Sequence, residues 1–450
     1  MDVFKNLFNI DFFGFSFYQE NLENAIKLIR FVKQHFPNSK IIIGGAFPTL
    51  AHSELIKEFH EIDFVVRGDG EKAILKIFDG TYSNSDNGIS YRGDNIFFSN
   101  KVNRLDNLDF SAPPAYRNNI ISKYKLRSTE SDIDTNTIPL IWSRGCNYNC
   151  SFCAIPINKN SWRCRSNNSI ISEIEQYYDP TLENHIFFFD ANPLQNAKKF
   201  RELILEIREK FDVTFSCAGR VDTILRNKTF ISELSNLGCI SLELGVESFN
   251  NEILRYYSKH ITKEMISKAF KILKENGIKV ELDFILYNPR VTKKDILADI
   301  AELENYGFKE DLSIDALYSY TKLYLGTKLR FDYDKAVGKI DYKYIPQIEE
   351  VISDNELKNI LPELLVLKKK GVKLYKNTVL VEKIKKSAIY TKTKDVRNVQ
   401  ELLLLNLSYK ILFFNAYKSI IRGSTNSLSD YDSNSKKIIS RFDLVLKEIS

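Results

Sequence analysis

A chain of 450 residues has room for two or three domains and a sizeable core, and with 44% hydrophobic and 27% charged residues it has a globular balance. Its formal net charge of +6 is spread over many lysines and glutamates, so charge argues for neither a nucleic-acid nor a membrane partner. No apolar run reaches transmembrane length, the N-terminus lacks a cleavable signal pattern, and six cysteines fit a reducing cytoplasm.

Residues 1–105 read as a small α/β unit. Phe12 to Phe17 is a predicted strand, and Asn21 to Phe36 is a helix with Ala25, Leu28, Ile29 and Val32 on one face. Lys40 to Ile43 is a strand ending in Gly44-Gly45, Ser53 to Phe59 a short helix, and Ile62 to Val66 a strand ending in Gly68-Asp69-Gly70-Glu71. Strands alternating with helices imply a parallel sheet, with ligand-binding loops at the strand ends. His35, His52 and His60 fall within or at the ends of helices, in capping or solvent-facing positions. Residues 106–137 are polar and turn-rich, with Pro113-Pro114, and read as a linker.

From residue 138 to 330 a strand-then-helix rhythm repeats six times. The predicted strands are Ile138–Ser143, His185–Asp190, Val213–Ala218, Cys239–Val246, Lys279–Leu286 and Ser313–Tyr320. Apolar runs of this kind read as strands buried on both faces, and six repeats suggest a partial barrel whose site lies at the carboxyl ends of its strands. Directly after the first strand come Cys146, Cys150 and Cys153, spaced Cys-x3-Cys-x-aromatic-Cys with Phe152 before the last. Three thiolates on one loop suit three irons of a [4Fe–4S] cluster, and the loop's lack of a fourth ligand leaves one iron open for chemistry. Buried apolar cysteines are the commonest alternative, but these three lie on a polar, glycine-containing loop. Structural zinc wants a second Cys pair or a His pair, and three is an odd number for disulfides.

The cysteine spacing with Phe152 resembles the signature of the radical S-adenosylmethionine (SAM) superfamily. The resemblance implies that SAM chelates the open iron, that Phe152 lies against its adenine, and that one electron from the cluster yields a 5′-deoxyadenosyl radical. Gly14-Phe15-Ser16, Gly44-Gly45-x-x-Pro48-Thr49 and Gly68-Asp69-Gly70-Glu71 resemble the second half of the cobalamin-binding domain that precedes the barrel in one large subgroup. The half that would carry an Asp-x-His-x-x-Gly loop does not occur, so the domain reads as truncated and cobalamin binding is disfavoured.

The resemblance extends to the strand ends. Asp190 stands where the family contacts the SAM amino group, with a helix N-cap role as the alternative. Arg220, in Gly219-Arg220-Val221-Asp222, is implied to meet the SAM carboxylate, and a structural pair with Asp222 is an equal alternative. Glu247 and Ser248, in Gly245-Val246-Glu247-Ser248, resemble a Gly-Ile-Glu-Ser segment that contacts the ribose and methionine parts of SAM. Cys217 would be a hydrogen-atom donor only if it points into the barrel; core packing is the plainer reading. The segments Asn288-Pro289-Arg290-Val291-Thr292 and Tyr324-Leu325-Gly326-Thr327 depart from the family's Gly-x-Pro-Gly-Glu-Thr and Pro-Gly-Thr. Trp162-Arg163-Cys164-Arg165-Ser166 resembles the subgroup's Arg-x-Arg-Ser, a basic segment near the cluster loop.

Residues 331–450 read as helical and contain no cysteine, which excludes an auxiliary cluster there. Leu402–Leu405 and Leu412–Tyr417 suggest one buried helix, and Ser424 to Lys436 a polar loop. The expected architecture is α/β: a partial (β/α)6 TIM-like barrel at 138–330, a truncated flavodoxin-like, cobalamin-binding-like domain at 1–105, and a helical C-terminal region. The expected function is hydrogen abstraction from a peptide or small-molecule substrate in peptide or specialised-metabolite maturation, with flavodoxin or ferredoxin as electron donor. A cobalamin-dependent methyltransferase is the alternative, and a non-catalytic iron–sulfur sensor the alternative of another class.

Overall fold

The structure, a computed structural model, describes residues 10–110, 135–155, 161–310, 313–371 and 396–449. Most of the expected linker lies outside them. Contacts divide the chain into two compact units, both discontinuous in sequence. The first comprises residues 1–112, 143–166 and 322–346; the second comprises 113–142, 167–321 and 347–450. In chain order the strands are β1 (Phe12–Ser16), β2 (Lys40–Gly44), β3 (Phe64–Val66), β4 (Ile89–Arg92), β5 (Ile96–Phe97), β6 (Thr135–Leu140), β7 (Ser143–Arg144), β8 (Arg163–Cys164), β9 (Glu183–Phe188), β10 (Val213–Arg220), β11 (Cys239–Glu247) and β12 (Lys279–Phe284).

The first unit is built on the sheet β1-β2-β3-β4-β5. β1, β2 and β3 run parallel, as expected, whereas β4 and β5 form an antiparallel hairpin that adds to β3. The helix Leu22–His35 covers one face because Ala25, Ile26, Ile29 and Val32 recur on its buried side. They pack with Ile41, Ile43 and Val65, all fully buried. Truncating one such isoleucine to alanine costs about 2–5 kcal/mol through lost transfer energy and the cavity left behind.

The second unit is built on the all-parallel sheet β12-β11-β10-β9-β6. Its central strands are buried on both faces over part of their length, as the apolar runs predict, at residues 215–217 of β10 and 244–247 of β11, whereas β9 and β12 alternate. Ile186 and Phe188 of β9, Phe215 and Cys217 of β10, and Leu242 and Leu244 of β11 lie under helices. Phe200 of the helix Ala197–Lys210 packs on Phe188 and Phe215, with ring centroids 5.2 and 6.2 Å away. The opposite face carries Thr214, Glu281 and Asp283, which are exposed. In β9 and β12 that alternation is the period-2 signature of strands with one wetter face, whereas Ser216 of β10 and Ser241 of β11 are buried on it, their hydroxyls 2.8 Å apart.

The sixth strand is reduced to a bridge. Within 313–320, Ser313 caps a short helix, Ile314–Leu317, by accepting from the Ala316 N–H at 3.1 Å. The chain then meets the edge beyond β12 through an isolated parallel bridge between Tyr287 and Tyr320. The buried C-terminal helix is present as Val396–Arg422. The expected loop 424–436 is instead mostly helix, Ser427–Ile449, entered through Gly423 (φ +80°) and Asn426 (φ +67°). Tyr431, among its polar residues, is buried against Tyr409 and Phe413. Among the described residues no helix is long and apolar enough to cross a membrane.

Candidate functional site

The cysteine loop is the tip of a hairpin in the first unit. β7 and β8 pair antiparallel, Ser143 opposite Cys164 and Arg144 opposite Arg163, so the cysteine loop leaves a two-rung neck. Gly145 turns the chain at φ +84°, where a side chain would strain it. The Cys153 N–H donates to the Cys150 carbonyl at 3.1 Å and draws the last two cysteines onto one turn. Leu329 N–H donates to the Ser151 carbonyl at 3.0 Å and fixes the loop from outside. Cys146, Cys150 and Cys153 are each partly exposed. Among the described residues no three metal-ligating side chains surround a single-ion position. Thiolates on a cluster each take a different iron, so that convergence is not required of them.

The neck is held by charge. Arg144 reaches Asp69 at 2.9 Å and Glu71 at 2.7 Å, and Arg163 reaches the other oxygen of Asp69. Burial works against the Arg144 charge, but the hydrogen bonds to Glu71 and Asp69 more than reverse it and hold its pKa up. Gly68 sets the loop: at φ +80° an added Cβ would sit on the Asn103 carbonyl.

A cavity of about 460 Å³ opens in the same unit, within the usual range for small-molecule sites. Its wall combines Gly145, Phe152 and Cys153 of the cysteine loop with Tyr18 and Phe47, which follow β1 and β2. Gln19 closes one side: its amide donates to the carbonyls of Tyr342 and Tyr344 at 2.9 and 3.2 Å and accepts from Leu325 N–H at 3.1 Å. The lining is mainly aromatic and aliphatic, and none of the residues found along it is a histidine. An apolar cleft of this kind suits a large flat group more than a free ion.

The strand-end residues lie in the second unit. Asp190 is buried and accepts from the Trp142 N–H at 3.1 Å. Asn192 is fully buried, and among the described residues neither its side-chain nitrogen nor its side-chain oxygen has a hydrogen-bond partner. Arg220 forms the pair with Asp222 (2.9 Å) that the sequence allowed, and also donates to the Lys259 carbonyl at 2.8 Å. Lys259, itself buried, bonds Glu247 at 2.6 Å, so Arg220 and Glu247 meet through it. Gly245 makes the room: a Cβ there would stand 2.9 Å from Lys259 Nζ and 3.1 Å from Glu247 Oε1. Glu247 has φ +69°, and Ser258 and His260 flank Lys259 at φ +53° and +55°. Three non-glycine residues in the left-handed region mark backbone held by its surroundings.

Ser248 donates to Asp299 at 3.0 Å, Phe249 N–H donates to the other Asp299 oxygen at 3.0 Å, and burial pushes the Asp299 carboxyl up to about 7. Asp283 keeps an exposed edge, yet desolvation together with Glu243 and Glu247 pushes it up to about 7 as well. Arg290, in the departing fifth-strand segment, stacks 4.2 Å over Tyr256. Cys217 faces away from the wet side of the sheet. It lies with Phe215 and Phe188 under the helices at 1% exposure, and burial raises its thiol pKa. The condition for a hydrogen-donor role, pointing into the barrel, is not met.

Sequence reasoning missed Arg144, Lys259, Asp299 and Asn192, and took Asp69 for part of a glycine-loop motif. The Gly-Asp-Gly-Glu run was a signal for Asp69; nothing local marks the other four.

Residues 140–303 match the model of the radical SAM superfamily, and residues 5–78 match that of the B12 binding domain. The chain is 26% identical over 331 residues to an uncharacterized methyltransferase of Pyrococcus horikoshii, covering 72% of this chain and 69% of that protein. It is 27% identical over 274 residues to the anaerobic magnesium-protoporphyrin IX monomethyl ester cyclase of Rubrivivax gelatinosus, covering 58% of this chain and 48% of that one. It thus spans about half of the second relative's length. The fold is similar to that of OxsB, a cobalamin-dependent S-adenosylmethionine radical enzyme solved with aqua-cobalamin bound: TM-score 0.67, 15% identity, 97% of this chain and 71% of that one. The match at 5–78 corrects the expectation that cobalamin is disfavoured. That expectation rested on a missing histidine loop, whereas the fold is carried by the parallel strands and their glycine turns.

Proposed function

Because the chain belongs to the radical SAM superfamily, in the group with a B12-binding domain ahead of the catalytic core, we propose that it is a cobalamin-dependent radical SAM methyltransferase acting on an organic substrate. One observation carries this reading: a single cavity is walled by the cysteine loop on one side and by residues following β1 and β2 of the B12-binding fold on the other. A bound [4Fe–4S] cluster would supply the electron that cleaves SAM, and a bound corrinoid would supply a cobalt that carries a methyl group. Cys146, Cys150 and Cys153 would hold the cluster, and Phe152 would present its ring at the cavity wall. Tyr18, Phe47 and Leu50 offer the apolar surface for a corrin face.

In the second unit, the unpartnered amide of Asn192 pairs a donor with an acceptor, which suits the carboxylate and ammonium of an amino-acid group such as that of SAM. Asp190, Arg220, Glu247 and Ser248 are the further residues we assign to SAM. The first expectation, hydrogen abstraction without cobalamin, gives way because both the match at 5–78 and the cavity favour a second cofactor.

The test is anaerobic reconstitution with iron, sulfide and hydroxocobalamin, then incubation with SAM and a strong reductant. Corrinoid retained through gel filtration, with S-adenosylhomocysteine and 5′-deoxyadenosine both formed and both abolished in Cys150→Ala, is the expected result. 5′-Deoxyadenosine without corrinoid uptake would return the protein to simple hydrogen abstraction. A cluster that leaves SAM intact under several reductants would leave only an iron–sulfur sensor.

A further inference from the structure

We propose that Asp69, in the loop after β3, is a positioning residue for the cysteine loop. Its carboxylate takes one arginine from each strand of the hairpin neck and sets both the shape of the loop and the charge beside it. The inference rests on the reading of Cys146, Cys150 and Cys153 as cluster ligands.

Arg144 and Arg163 stand directly opposite each other on β7 and β8. Like charges in that arrangement destabilise a strand pair. Here both turn to one carboxylate: Arg144 Nη1 donates to Asp69 Oδ1 at 2.9 Å, and Arg163 Nη2 to Asp69 Oδ2. Glu71 takes the other Arg144 nitrogen at 2.7 Å, so two guanidinium groups face two carboxylates. Asp69 is itself fixed. Its N–H donates to the Asn103 carbonyl at 3.1 Å, and Leu105 N–H donates to Oδ2 at 2.8 Å. Arg163 Nε closes the ring by donating to the Leu105 carbonyl at 2.5 Å. Asp69 and Arg163 are each 7% exposed, so solvent screens the clamp weakly.

Arg144 lies two residues before Cys146, and Arg163 lies in the opposite strand of the same neck. The clamp therefore ties the third strand end of the B12-binding fold to the base of the cysteine loop. A merely structural ion pair would affect stability alone. A clamp at this place also sets the charge that a cluster feels as it gains an electron, and cluster potentials respond to nearby charge and hydrogen bonding. Removing the Asp69 charge leaves two guanidinium groups against one carboxylate, which favours the reduced, more negative cluster. Removing a guanidinium does the opposite.

The experiment is an EPR-monitored redox titration of the full-length, anaerobically reconstituted protein. Wild type is compared with Asp69→Asn, Arg144→Gln and the double variant, with circular dichroism to score folding. In Asp69→Asn we expect cluster retention against a chelator to fall about tenfold or more. The ratio of reduced to oxidised cluster at fixed potential should rise about tenfold, a shift of about 59 mV for a one-electron couple. Arg144→Gln should shift the opposite way, and the double variant should return towards wild type. Wild-type potentials in both single variants would overturn the inference and leave Asp69 a stabilising residue. If Asp69→Asn does not fold, Arg144→Gln, one-third exposed, decides alone by the sign of its shift, with no shift counting against the inference. A wild-type protein that takes up no cluster sinks the cysteine reading and this inference with it, an outcome distinct from an unmoved potential.

Discussion

Two buried aspartates, one in each unit, each pin a loop of their own unit by opposite means. Asp69 of the first unit is bonded to two guanidinium groups. Asp299 of the second unit faces the Ser248 hydroxyl and the Phe249 N–H, with Asp295 and Glu302 near enough to add repulsion, and burial holds its carboxyl up at about 7. The side chain is the same and both are at most 7% exposed. What differs is whether the sequence supplies a cation. A loop built on an ion pair keeps its geometry while both charges last, whereas a loop built on a buried acid changes character as that acid titrates.

The largest break in this comparison comes from taking the cation away from a buried carboxylate. Lys259→Met leaves Glu247 buried and uncompensated beside the strand-end turn, and should destabilise the second unit by about 3–5 kcal/mol. Each unit contains one of the chain's two tryptophans, Trp162 in the first and Trp142 in the second. Urea unfolding followed by fluorescence in a Trp162→Phe background therefore isolates the second unit. A change below about 1 kcal/mol would mean that the pair is hydrated enough to behave like a surface salt bridge.

A smaller break tests the first unit through its backbone. Gly68→Ala places a methyl group on the Asn103 carbonyl at a positive φ, so the loop carrying Asp69 must shift. We expect a loss of about 2–3 kcal/mol, from overpacking added to left-handed strain. The loss should appear in Trp162 fluorescence of a Trp142→Phe background, together with weaker cluster retention. Unchanged retention would show that the Asp69 clamp tolerates displacement of its own loop.

The cysteine triad and the strand-end motifs stand out as candidates in the sequence because their information is local: a spacing of eight residues, or a turn at the end of an apolar run. The clamp was not, because Asp69 lies 75 residues from Arg144 and 94 from Arg163, and no pattern in one segment announces the other. Lys259 reaches Glu247 only through a turn of positive-φ residues that carry no glycine to advertise them. The sixth strand shrinks to a bridge because Ser313, at its start, caps a short helix over Ile314–Leu317, and the polar residues of segment 424–436 hide its one buried tyrosine and so read as a loop. Two-sided burial holds for the central strands β10 and β11, whereas the edge strand β12 keeps one exposed face because Glu281 and Asp283 alternate with its apolar residues.

The last test sharpens the comparison by pH. The folded state holds the Asp299 proton up to about 7, while an unfolded aspartate loses it near 3.8. Between those values the folded state binds more protons, so stability is fully present at the acid end and falls as pH rises through the window. For one such group the slope is about 1.4 kcal/mol per pH unit. Asp299→Asn keeps an acceptor for the Phe249 N–H and removes the titration, so its stability should be flatter by about that slope between pH 5 and 6, read in the Trp162→Phe background. If wild type and Asp299→Asn run parallel across the window, Asp299 is ionised in the folded protein, and the turn at Glu247-Ser248 must draw compensation for that charge from groups beyond its hydrogen-bonded partners. If the slope is lost as expected, the turn assigned to SAM contact is set by a protonated acid, and its geometry should loosen as that proton leaves near neutral pH.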